Sequence, residues 1–148
     1  MITGIGHIAF RVRDIEQSKA FYCDGLGLRH AFDIDRDGKP WIVFVYAGNH
    51  QYLELFPVAD AQPLDQSKLP TYAHLQLTVD DMDRTLVDFE QRGIRPANPP
   101  RTGQDGNVQA WLTDPDGNRI ELMQMMPGCL HEQAEVRLGG APGGPLSR

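Results

Sequence analysis

Two cysteines and no Cys-x-x-Cys pair rule out a disulfide framework. Cys23 and Cys129 read as reduced thiols of a cytoplasmic protein. Basic clusters are also missing. With 20 acidic residues against 14 basic ones the net charge is −6, which argues against a nucleic-acid surface. Long apolar runs are absent too. The longest, Trp41 to Ala47, is too short to cross a bilayer, and Met1-Ile-Thr-Gly lacks the basic stretch and apolar run of a signal peptide. Neither nucleic acid nor membrane is expected as a partner. No Gly-rich phosphate loop, nucleophile elbow or Cys/His pair appears.

What is present is a repeat. The stretch His7-Ile-Ala-Phe-Arg-Val-Arg-Asp14, continuing to Ser18 and Tyr22, returns 67 residues on as His74-Leu-Gln-Leu-Thr-Val-Asp-Asp81, continuing to Thr85 and Phe89. Glu54 follows His7 by 47 residues, and Glu121 follows His74 by the same 47. A chain of 148 residues is one domain, or two small modules sharing a core. It buries roughly 68–70% of its unfolded surface, whereas a lone module would be marginal.

Each repeat opens with period-two alternation: Ile8, Phe10 and Val12 against His7, Ala9 and Arg11, then Leu75, Leu77 and Val79 against His74, Gln76 and Thr78. Asp14 and Asp81 stand where helix N-caps belong, predicting helices over about 15–25 and 82–92 that end at Gly25-Leu-Gly27 and Gly93. Three strand signals follow each helix: about 28–35, 41–47 and 51–57, then about 95–100, 107–113 and 118–125. Asp37-Gly38, Asp105-Gly106 and Pro115-Asp-Gly-Asn118 are turn signals. The expected architecture is α+β: two βαβββ modules (1–57 and 71–126), a linker (58–70) and a Gly/Pro-rich irregular tail (127–148). Together the modules are expected to form a curled mixed-sheet cup.

The strand period also sorts the carboxylates. Tyr52, Glu54 and Phe56 oppose Leu53 and Leu55, while Arg119, Glu121 and Met123 oppose Ile120 and Leu122. His7, Glu54, His74 and Glu121 therefore fall on faces opposite the aliphatic core. Two imidazoles and two carboxylates can bind a divalent transition metal. His30, His50 and His131 have no repeat partner and read as surface histidines, while Asp105, Asp114 and Asp116 read as turn residues.

The paired modules, the opening His-h-x-h-x-V-x-D and Asp114-Pro-Asp-Gly-Asn-Arg-Ile-Glu121-Leu resemble the vicinal oxygen chelate superfamily over about residues 4–126. That superfamily includes glyoxalase I, methylmalonyl-CoA epimerase, extradiol dioxygenases and bleomycin-binding proteins. The set His7, Glu54, His74, Glu121 is similar to that of bacterial glyoxalase I, or lactoylglutathione lyase. The resemblance implies a lyase or isomerase acting through an enediolate on a small α-oxo substrate, with one nickel, zinc or cobalt ion per site. Glu54 and Glu121 would hold the metal and move the proton, and Arg11 matches an Arg that binds the glutathione carboxylate. Two other glutathione contacts are replaced, by Val58 where the family has Asn and by Pro70 where some members have Arg. Tyr52, Phe56, Gln76 and Met123 are candidate pocket walls. The resemblance leaves an acyl-CoA epimerase and a non-catalytic binding protein as alternatives, and a homodimer is expected because open cup-shaped sheets leave edges to cover.

Overall fold

A computed structural model describes residues 4–58 and 72–138. The expected linker, apart from Val58, lies outside them, as does the chain after Leu138. The first module runs β1 (His7–Val12), α1 (Ile15–Lys19), a π-helical segment (Ala20–Gly25), β2 (Arg29–Arg36), β3 (Lys39–Gly48) and β4 (Gln51–Pro57). The second runs β5 (Leu75–Val79), α2 (Met82–Gln91), β6 (Arg101–Thr102), β7 (Val108–Thr113) and β8 (Arg119–Gln124), followed by α3 (Leu130–Arg137).

Each module is a four-stranded mixed sheet, ordered β1-β4-β3-β2 in one and β5-β8-β7-β6 in the other. In both, the opening strand pairs parallel with the last and the remaining pairs are antiparallel. The helix starts follow from local chemistry. Asp14 accepts from the Gln17 amide and Asp81 from the Arg84 amide, each at 3.0 Å, filling one of the orphan donors of a helix N-terminus. Between β2 and β3, Asp37 and Gly38 both take positive φ (52° and 74°), as a tight hairpin turn requires.

The aliphatic faces of both sheets meet in one core. Val12, Leu53 and Leu55 from the first module share it with Leu112, Ile120 and Leu122 from the second, along with Tyr22, Met82 and Phe89 from the helical segments. Fully burying side chains such as Leu55 and Ile120 stabilises by roughly 1.5–3 kcal/mol each. Because side chains alternate along a strand, the opposite face of each sheet is the reverse side of this shared core.

A polar clasp fixes the modules to one another. The buried Tyr22 hydroxyl donates to Asp114 Oδ2 at 2.7 Å. Asp116 accepts from the Arg13 amide at 3.0 Å, from Arg13 Nε at 2.9 Å and from the Ser18 hydroxyl at 3.3 Å. Asp114 also accepts from Asn118 and from the amides of Asp116 and Asn118. These acids do lie in a turn, but the turn is buried and carries the contact between modules.

Two expectations are corrected. No strand forms over 95–100, because Pro96, Pro99 and Pro100 lack the amide a ladder needs, and only the two residues of β6 pair with β7. The segment after Met126 is not wholly irregular. Cys129 caps α3 by accepting from the Glu132 amide, and the Leu130 amide donates to the Asp105 carbonyl at 2.9 Å. Buried Asn107 completes the anchor: its Nδ2 lies 2.8 Å from Asp105 Oδ2 and 2.9 Å from His131 Nδ1, and its Oδ1 accepts from the Met126 amide. Among the described residues no helix is long and apolar enough to cross a membrane, and Cys23 and Cys129 are free thiols.

Candidate functional site

The parallel pairing of first and last strands brings each histidine to its own glutamate. In the first sheet Ala9 faces Glu54 across the ladder, so His7 lies diagonally beside Glu54 on the same side. His7 Nε2 is 3.3 Å from Glu54 Oε2. In the second, Gln76 faces Glu121 and His74 lies diagonally beside it, with His74 Nε2 at 2.9 Å from Glu121 Oε2. Both imidazoles keep an exposed flank while the carboxylates are largely covered. An aromatic ring buttresses each pair: Phe44, opposite Glu54, meets His7 edge-on at 5.8 Å, and Trp111, opposite Glu121, meets His74 edge-on at 4.9 Å.

Within one chain the two pairs stay apart. Among the described residues no three His, Cys, Asp or Glu side chains group as metal ligands would. Each module holds its own imidazole and carboxylate on the reverse side of the common core.

The candidate wall residues divide similarly. Tyr52 packs against Phe44 and Tyr46, and Phe56 meets the Trp41 ring edge-on at 5.0 Å. Met123 is buried, with its sulfur 3.4 Å from Asn107 Nδ2. Gln76 is exposed and donates to the Thr78 hydroxyl. Arg11 is exposed, on the same strand face as His7. A cavity of about 860 Å³ opens between the modules, lined by Ile8, Tyr52, Leu53, Gln76, Leu77 and Phe89 among others. None of the four candidate ligands lines it, although Tyr52 and Gln76 do.

Sequence reasoning passed over Phe44 and Trp111. The repeat offset was the available signal, since Trp111 stands 67 residues after Phe44 and both face the repeated glutamate. It also passed over the electrostatics of the clasp. Burial first, then the Asp114 charge, pushes the Tyr22 hydroxyl well above its usual range. The same causes push Tyr72 up to about 12. Near α3, the hydrogen bond from the Asn107 side chain holds Asp105 below the usual carboxylate value, with smaller help from His131.

Comparison with known proteins agrees with this architecture. The family model described as Glyoxalase/Bleomycin resistance protein/Dioxygenase superfamily matches residues 4–122. A "probable lactoylglutathione lyase" of Synechocystis sp. is 30% identical over 121 residues, covering 80% of this chain and 92% of that protein. A 2-epi-5-epi-valiolone epimerase of Actinomyces sp. is 26% identical, covering 90% of this chain and 86% of that protein. Among solved structures, a glyoxalase family protein from Enterococcus faecalis superposes with a TM-score of 0.70 at 24% identity, over 81% of this chain and 96% of that one. At that identity the likeness concerns the fold.

Proposed function

The chain belongs to the Glyoxalase/Bleomycin resistance protein/Dioxygenase superfamily, and from that membership we propose that it is a divalent-metal-dependent lyase of the glyoxalase I type. Its substrate on this reading is a small α-oxo compound of the hemithioacetal kind, and its reaction passes through an enediolate. The observation that carries the reading is the duplicated pair: His7 with Glu54 at 3.3 Å and His74 with Glu121 at 2.9 Å, on equivalent outward faces. The same pairing of imidazole and carboxylate is kept in both modules, on the face away from the core.

Two neutral imidazoles and two carboxylates suit nickel, zinc or cobalt. One module offers half of that set. A second copy of the chain supplies the other half if the first module of one protomer faces the second module of its partner, giving a homodimer with two composite sites. Among the described residues β1 and β5 are outer strands of their sheets, available for such a contact.

His7, Glu54, His74 and Glu121 would hold the ion. When bound, it supplies positive charge against the anionic oxygens that develop as a C–H beside a carbonyl loses its proton. Glu54 and Glu121 accept and return that proton. Arg11, exposed on the His7 face, offers a guanidinium to a substrate carboxylate. Tyr52, Phe56, Gln76 and Met123 are assigned to the walls.

An epimerase is the second reading, favoured by the valiolone epimerase relative. Moving a proton to and from carbon needs the same carboxylates. Purified protein tests both: bound metal per chain, oligomer size, and turnover of the methylglyoxal–glutathione adduct against racemisation of a 2-substituted acyl thioester. A monomer that binds no transition metal and turns over neither substrate would refute the proposal.

A further inference from the structure

The duplicated faces have diverged in a consistent direction. Around Glu54 the first module presents rings. Phe44 stacks on Phe32 at 4.5 Å and 14°. Tyr52 sits edge-on to both, and Tyr46 lies 5.4 Å from Tyr52. At the equivalent places around Glu121 the second module presents polar groups. Arg119 stands where Tyr52 is and Thr113 where Tyr46 is, paired alike across the ladder, and Gln109 stands where Ile42 is, each 67 residues on.

Only the ring beside the glutamate is kept, as Trp111. Its indole N–H is buried without a hydrogen-bond partner among the described residues, an unsatisfied donor. The Arg119 guanidinium lies 4.3 Å over the same ring. On the first face, by contrast, Phe32 is left 46% exposed and Ile34 42% exposed, although both belong to the apolar side of β2 that faces Phe44 and Ile42. Packing among the described residues leaves them open, and a ring of the substrate would cover them.

We propose that the substrate is an aryl-substituted α-oxo compound. Its ring lies on the Phe32–Phe44–Tyr52 face beside His7 and Glu54, and its carboxylate or carbonyl end meets Arg119, Gln109 and the Trp111 N–H. This inference rests on the composite-site reading above, in which a first-module face of one protomer meets a second-module face of the other. It explains why one copy of the duplicated sheet became aromatic and the other hydrogen-bonding. An aliphatic substrate would leave the Phe32–Phe44–Tyr52 rings beside Glu54 without a ligand to stack on.

The test compares benzoylformate with pyruvate, which differ by phenyl against methyl, using calorimetry on the full-length protein as purified, with its metal. The expected result is tighter binding of benzoylformate by about ten-fold or more, since ring stacking adds to area burial. Phe32→Ala, at an exposed position, is expected to weaken benzoylformate alone and bring the ratio to within about two-fold. Arg119→Gln should weaken both ligands alike, because both carry the carboxylate. A wild-type ratio near one overturns the inference, as does a preference that survives Phe32→Ala. A Phe32→Ala variant that changes oligomer size but not ligand preference also overturns it, assigning the face to contact between copies. Binding is read separately from turnover, so failure of the lyase reading shows on its own: the preference persists while the protein turns over nothing.

Discussion

Glu121 is the residue on which the proposed chemistry concentrates. It is largely buried, faces Trp111 across the ladder and sits 2.9 Å from His74. Glu121→Gln keeps the shape and removes the anion. We expect turnover to fall roughly 10²-fold or more, as loss of a general base should produce, with a parallel loss of bound metal measurable by atomic emission. Glu54→Gln is expected to behave similarly, and wild-type turnover in either variant would remove that carboxylate from the mechanism. At this scale the sequence was informative because duplication marks the four residues twice over: the same residue types, the same 47-residue separation and the same strand face. It was silent on Phe44 and Trp111, since an aromatic residue in a strand reads as core until the ladder shows which glutamate it faces.

Among the elements, alternation revealed most strands and the Asp caps revealed both long helical segments. The misses have physical causes. The strand expected over 95–100 does not form, because three prolines in those six residues deny the ladder its donors. The Gly/Pro bias of the last residues concealed α3, whose hold comes from Asn107 and the Asp105 carbonyl, more than 20 residues earlier in the chain. Asn107→Ala would leave the Met126 amide without its acceptor; we expect a loss of about 1–3 kcal/mol and faster proteolysis around α3.

The turn at 114–118 predicts a pH effect. The Tyr22 hydroxyl is raised in the folded protein, so its contribution is complete below the unfolded pKa of about 10 and is lost as pH rises above it. Tyr72, at about 12, acts in the same direction. The melting temperature should therefore drop above about pH 10. Tyr22→Phe should lower stability at pH 7 by about 1–3 kcal/mol and flatten the alkaline decline. A decline unchanged in that variant would mean that other groups carry it.

At the scale of the whole molecule, the repeat gives two equivalent His/Glu pairs but not how they meet. Their relation depends on how the modules pack, and here the Tyr22–Asp114 and Arg13–Asp116 contacts hold the aliphatic faces together and leave the His/Glu faces on the outside. If a metal bridges two protomers, removing it weakens fold and assembly together. With metal at 100 times its dissociation constant, a chelator should cost about 2.7 kcal/mol per site and lower the melting temperature. The most direct measurement is complementation. One variant carries His7→Ala with Glu54→Ala, the other His74→Ala with Glu121→Ala, and each alone should be inactive. Co-folded in equal amounts, they should recover about a quarter of wild-type turnover and of bound metal, because half of the dimers contain one intact composite site of two. A mixture that stays inactive and metal-free, while the wild-type chain binds its ion as a monomer, would contradict the account.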